Sequence, residues 1–200
     1  MSAEPFVPPN PTLPTLRKAS QECRGCPLWA NATQAVFGEG AAGAQVLFVG
    51  EQPGDQEDLT GKPFVGPAGK LLDRALEEAG IDRSKTYVTN AVKHFKWKPR
   101  GTRRIHQKPS WSEQMACRPW LEAEMAVLKP RVIVPLGATA GQSLLGKDFR
   151  VTRDRGRPLD SDLAEHVVAT IHPSAVLRAD DREAEFEALV ADLRVVAELI

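Results

Sequence analysis

Cysteine is scarce in this chain: only Cys23, Cys26 and Cys117 occur in 200 residues. A low, odd count argues against a disulfide framework. The Cys-x-x-Cys spacing of the first two points instead to metal or redox chemistry in a reducing compartment. Net charge is also lacking, because 26 basic residues balance 26 acidic ones. The chain as a whole therefore has no electrostatic pull on a polyanion. Long apolar runs are missing too, and none approaches the roughly 20 residues that span a bilayer. Met1–Pro14 carries no apolar stretch behind a basic start, so no secretory leader is read. The expectation is a cytoplasmic protein with no membrane partner. Pro5, Pro8, Pro9, Pro11 and Pro14 crowd the start. Residues 1–14 are expected to form a flexible, extended tail ahead of one domain over residues 15–200. There is no internal repeat and no obvious oligomerisation surface, so a monomer is expected.

One further absence is local. Lys93–Lys108 contains no acid, yet holds Lys93, Lys96, Lys98, Arg100, Arg103, Arg104 and Lys108. Such a concentration is the footprint of a polyanion site. Trp97 inside it and Trp111 just beyond add ring faces to the charge. His106 is a potential nucleophile or acid/base placed where a phosphate backbone would dock. A solvated Lys/Arg loop with an incidental histidine explains the same residues without function.

Four β-rich runs stand out: Ala44–Gly50, Thr86–Val92, Arg131–Leu136 and His166–Ile171. Each is largely apolar, as strands buried on both faces are. Helical patterns lie between them at Ala68–Ala79, Ser112–Leu128 and Ala138–Leu145. A last helix covers about Arg182–Ile200, with Phe186, Leu189, Val190, Leu193 and Val196 at helical spacing. This alternation predicts a three-layer α/β/α sandwich around a central four-stranded parallel sheet. Sites in such folds collect at the carboxyl ends of the strands. Here those ends lead into Glu51–Pro67, Lys93–Pro109, Gly137–Gly141 and His172–Ser174.

Each of those segments carries unusual chemistry. Gly50-Glu51-Gln52-Pro53-Gly54-Asp55 turns sharply and lets backbone N–H groups approach a ligand, though a plain strand-to-helix turn explains it as well. Phe64, in Gly61–Pro67, could plug the core or stack on a flat ligand. Asn90 is an amide in an apolar strand. A buried amide needs partners, which are either backbone groups or a ligand of matching donor–acceptor pattern. His172, before Pro173-Ser174, is either structural or a donor to a developing oxyanion. Cys23, Cys26 and Cys117 give three thiolates, and a closed site needs a fourth donor. His94 is the best fourth candidate, and spacing alone favours zinc over an iron–sulfur cluster.

Taken together and in this order, the motifs resemble the uracil-DNA glycosylase superfamily from about Cys23 to the C-terminus. The resemblance is to the iron–sulfur (family 4) enzymes, through Cys23/Cys26, Gly50–Asp55, Gly61–Gly69, Thr89-Asn90 and His172-Pro173-Ser174. Within them it is to the UdgX-type proteins, through Gln52 and the basic loop ending Arg103-Arg104-Ile105-His106.

The resemblance implies a [4Fe–4S] cluster on Cys23, Cys26, His94 and Cys117, where His94 stands in place of the usual fourth Cys. It implies uracil-containing DNA as partner, preferably single-stranded, since a base inside a duplex is out of reach unless flipped. Phe64 would stack on uracil and Asn90 would read its Watson–Crick edge. Groups around Gln52 and Asp55 would line the pocket, and His172 would hydrogen-bond O2. His106 would bond to C1′, assisted by Glu51 and Gln52, giving a single-turnover enzyme that stays attached to DNA. Lys93, Lys96, Arg103, Arg104 and Ser174 would hold the DNA backbone. Two alternatives compete: a conventional multiple-turnover glycosylase, and a non-catalytic DNA-binding module with zinc.

Overall fold

A computed structural model describes residues 1–200. Its sheet is built from the apolar runs read in the sequence. The strands β2 (Val46–Gly50), β3 (Thr86–Asn90), β6 (Val132–Pro135) and β8 (His166–Val168) are mutually parallel, in the order β3-β2-β6-β8. Two short antiparallel strands, β1 (Glu39–Gly40) and β7 (Pro158–Leu159), extend the sheet to six. The parallel four-stranded centre is as expected. The edges are two-residue strands, too short to leave a periodic signal.

Alternation along the central strands sends side chains to opposite faces. Val46, Phe48, Val88, Val132 and Val134 pack beneath α3 (Pro67–Glu78), α7 (Pro173–Arg178) and α8 (Arg182–Ala197). Leu47, Val49, Tyr87 and Ile133 face α4 (Trp111–Leu128) and α5 (Gly137–Leu145) on the other side. The result is helix layer, sheet, helix layer. Shorter helices, α1 (Leu13–Ser20), α2 (Asp55–Thr60) and α6 (Val151–Asp154), complete the chain. No helix is long and apolar enough to cross a membrane.

Two departures from the sequence reading matter. The opening residues are not an extended tail: Glu4–Phe6 forms a 3-10 turn, α1 starts at Leu13, and the buried Ala3 donates its N–H to the Ala116 carbonyl at 2.7 Å. Pro5 and Pro14 fit there because they occupy the first turns of those two helices, while Pro8, Pro9 and Pro11 lie in the link between them. The basic stretch, read as a loop, contains a hairpin of β4 (Trp97–Arg100) and β5 (Arg103–His106), with Gly101 at φ +59° in its two-residue turn.

Register decides what the sheet presents at its carboxyl edge. Gly50 pairs with Asn90, and Leu136 bridges to Thr170. Glu51, Asn90, Gly137 and His172 therefore emerge side by side.

Candidate active site

A cavity of about 620 Å³ opens at this edge. Glu51, Gln52, Phe64, Asn90, His106, His172 and Ser174 line it, with Thr139, Lys108 and Arg178. The seven named first were candidate site residues in the sequence; Lys108 was noted only as part of the basic stretch, and Thr139 and Arg178 were not named.

The close approach of Asn90 and Phe64 rests on glycine. A Cβ at Gly50 would stand 2.4 Å from Asn90 Oδ1 and 2.8 Å from Phe64 Cζ. Phe64 holds φ +57°, a left-handed conformation that costs a bulky residue energy. Its carbonyl lies 1.7 Å from where a Cβ at Gly69 would be. The strained backbone presents the Phe64 ring to the cavity, nearly parallel to the His172 ring at 6.3 Å between centroids. Asn90 is 3% exposed, and its side-chain amide makes no hydrogen bond within the protein. Its donor and acceptor are available to whatever fills the cavity.

His172 is locked in one tautomer. The Ser174 backbone N–H donates to its Nδ1 at 3.1 Å, capping α7, and the Ser174 hydroxyl lies 2.8 Å from the same atom. Nδ1 is thus an acceptor, and the hydrogen sits on Nε2. Burial pushes this imidazole down to about 4, so the ring is neutral at physiological pH. A neutral Nε2–H is a donor suited to developing negative charge. Ser174 acts on His172 through both its hydroxyl and its N–H.

Glu51 stands opposite. Its Oε1 lies 3.1 Å from His106 Nε2, and its Oε2 accepts from the Thr139 hydroxyl. Burial disfavours the charged carboxylate, but the His106 and Thr139 hydrogen bonds outweigh it and hold the group below the usual carboxylate range. The pairing leaves the second ring nitrogen of His106 with its lone pair unengaged.

The remaining residues of the basic stretch divide in an unexpected way. Lys93 is not a DNA contact: it is 1% exposed and its Nζ pairs with the fully buried Glu124, which also accepts from Tyr87 Oη at 3.1 Å and Gly38 N at 3.2 Å. Arg104 is an internal brace. It donates to Asp55 Oδ1 and Asp58 Oδ2, each at 2.6 Å, and lies over the Phe95 and Trp97 rings. Asp55 is engaged in that brace and does not line the cavity. Lys96 pairs with Glu113 at 2.8 Å.

Gln52 lines the cavity, but its amide clamps the hairpin. Nε2 donates to the carbonyls of Lys96 (3.2 Å) and Gln107 (3.1 Å), and Oε1 accepts from Lys96 N at 3.0 Å. Both donors are taken, so Gln52 supports the segment bearing His106 and does not read a base. Strand alternation puts Lys98, Arg100 and Arg103 together on the opposite face of the hairpin, exposed and in no ion pair. Of the predicted backbone contacts on this stretch, only Arg103 keeps a free charge. Its neighbours Lys98 and Arg100 were counted in the basic stretch but not named as backbone contacts, because charge density alone does not say which side chains are already paired.

The three cysteines share one buried cluster with Leu16, Phe37, Val92 and Trp120, and none is in a disulfide. Two sulfurs receive N–H donors: Trp120 Nε1 to Cys23 at 3.2 Å, and the Lys93 amide to Cys117 at 3.3 Å. His94 is buried, and burial pushes its ring down to about 4. No group of three or more His, Cys, Asp or Glu side chains is arranged to hold a single metal ion. Thiols in one pocket, with N–H groups aimed at sulfur, suit iron–sulfur ligation, where such bonds tune the cluster.

Residues 37–194 match the model of the uracil DNA glycosylase superfamily. The chain belongs to that superfamily. It is 43% identical over 164 residues to a type-4 uracil-DNA glycosylase of Thermotoga maritima, covering 82% of each chain. A type-4 uracil-DNA glycosylase of Pyrobaculum aerophilum is 37% identical, over 88% of this chain and 89% of the relative. A type-5 uracil-DNA glycosylase of Thermus thermophilus is 34% identical over 61% of this chain and 58% of its own. In this superfamily member the matched region includes every cavity-lining residue named above.

Proposed function

We propose that this protein excises uracil from DNA and remains bonded, through His106, to C1′ of the deoxyribose, as the UdgX-type resemblance implies. The relatives support the excision. The observation that carries the covalent step is the 3.1 Å Glu51–His106 pair, in one cavity with Phe64, Asn90 and His172.

The chemistry balances with these residues and a solvent proton. The flipped nucleotide enters the cavity with its base against Phe64 and its edge on Asn90. The C1′–N1 bond breaks and its electron pair leaves with uracil. Charge growing on O2 meets the Nε2–H of His172. The free ring nitrogen of His106 gives its lone pair to the oxocarbenium-like C1′. An imidazole held at C1′ has an effective concentration on the order of 10⁵ M or more, so it outcompetes water. The alkylated ring becomes cationic, and its remaining N–H points at the Glu51 carboxylate. Uracil takes a proton from water and departs.

Arg103, with Lys98 and Arg100, supplies phosphate contacts on the outer face of the hairpin. Single-stranded DNA is the preferred substrate, because no duplex has to open. The protein acts as a monomer in this reading, with the proposed reacting residues all on one chain. Cys23, Cys26, Cys117 and His94 hold a [4Fe–4S] cluster whose role is structural: it ties the N-terminal segment to α4. Metal analysis of purified protein should find iron and acid-labile sulfide with no stoichiometric zinc, and the protein should be brown. Zinc in place of iron would count against the cluster.

The function itself is tested by mixing the protein with uracil-containing single-stranded DNA and running a denaturing gel. A shifted band should survive, its amount limited to one per protein. Abasic product in excess of protein with no such band would instead identify a conventional turnover enzyme.

A further inference from the structure

Thr139 is the one cavity residue that bonds to Glu51 from the far side of the carboxylate from His106. It sits in the first turn of α5 and is 4% exposed. The start of α5 is anchored, because Gly137 N donates to the Thr170 carbonyl at 2.8 Å and Gly137 takes φ +84°. A threonine in a helix is confined mainly to two χ1 rotamers, and the hydrogen bond to Glu51 selects one of them. Its hydroxyl donates to Oε2 of Glu51 while His106 Nε2 lies at Oε1.

We propose that Thr139 is a positioning residue for the Glu51–His106 pair. Its hydroxyl holds the carboxylate in the orientation that keeps the His106 ring aimed at C1′. This rests on the covalent reading given above. A carboxylate with only one oxygen engaged turns about its last torsion, which is broad. A hydroxyl on the second oxygen stops that rotation before substrate arrives, so the imidazole is already placed when the glycosidic bond breaks. The groups that face Glu51 are Thr139 from α5, His106 from β5 and His172 from the start of α7. Glu57 from α2, Lys108 after β5 and Arg178 from α7 line the same cavity, but none is paired with Glu51, so loss of the Thr139 donor removes one of its two direct contacts.

The test compares Thr139→Val, which keeps the shape and removes the donor, with Thr139→Ser, which keeps the hydroxyl. Single-turnover rates of adduct formation and of uracil release are followed across pH. Thr139→Val should slow adduct formation roughly 10- to 100-fold, the effect of losing one hydrogen bond to a charged group. The acid limb of its profile should move to higher pH, because the neutral carboxyl gains when a donor to the anion is lost. Affinity for single-stranded DNA lacking uracil should not change. Thr139→Ser should restore both rate and limb. A Thr139→Val protein with wild-type rate and limb overturns the proposal. If Thr139→Val fails to fold, Thr139→Ala takes its place with the same expected outcomes. If wild-type protein releases uracil with no adduct, the bond to His106 is refuted, and the acid limb of the release rate still decides the role of Thr139.

Discussion

Replacing His106 by Ala abolishes the denaturation-resistant band and leaves uracil release detectable, with product now exceeding protein. The expected contrast is absolute in the adduct and partial in excision, because the two depend on different residues. Phe64, Asn90 and the neutral His172 stay in place, since none contacts the His106 side chain through a hydrogen bond. The Glu51 carboxylate keeps its bond from Thr139. Removing the imidazole opens room for water beside that carboxylate, and water then captures C1′ by general-base assistance. Persistence of the adduct in this variant would assign the nucleophile to another residue.

Lys93→Ala costs the folded state about 3–5 kcal/mol, the usual effect of stripping a partner from a buried ion pair. That is a large share of the 5–15 kcal/mol typical of a domain. Glu124 is fully buried and its charge is met by one cation, Lys93; its other donors are the Tyr87 and Thr89 hydroxyls and the Gly38 N–H. Urea denaturation reads the loss. Adding Glu124→Gln to Lys93→Met should recover most of it, because no unpaired charge is then left inside. The salt dependence of DNA binding should be the same for folded Lys93→Ala and wild-type protein. A stable Lys93→Ala protein whose salt slope falls by about one unit would return Lys93 to the DNA interface.

The contrast between Lys93 and Arg103 shows what the sequence could and could not tell. Both lie in one acid-free stretch, and both read as phosphate contacts. Their partners, Glu124 for the first and solvent for the second, are set by tertiary packing across long separations. The same holds for Arg104, whose acidic partners are on α2, about fifty positions away. The parallel strands were legible because burial on both faces leaves an unbroken apolar run, and their carboxyl ends pointed to the cavity. Phe64, Asn90 and His172 drew attention because they lie at or just past those strand ends; each also had a structural reading, and the family resemblance is what turned them toward a ligand. Thr139 was not legible, because a threonine in the first turn of a helix is unremarkable until Glu51 is seen beside it. Its one signal was its position just past the third central strand. The hairpin was hidden because charge masked the two-residue periodicity on either side of Gly101. Gln52 was placed at the cavity correctly, but its clamp on Lys96 and Gln107 needed the hairpin to be known first.

The covalent bond can be observed directly. Wild-type protein is incubated with uracil-containing single-stranded DNA, digested with nuclease and protease, and its peptides are sequenced by mass spectrometry. A deoxyribose-bearing fragment should be attached to the peptide containing His106, with fragment ions assigning it to the imidazole. Free uracil should appear in equal amount. An unmodified His106 peptide alongside released uracil, or the sugar found on a different residue, would contradict the account.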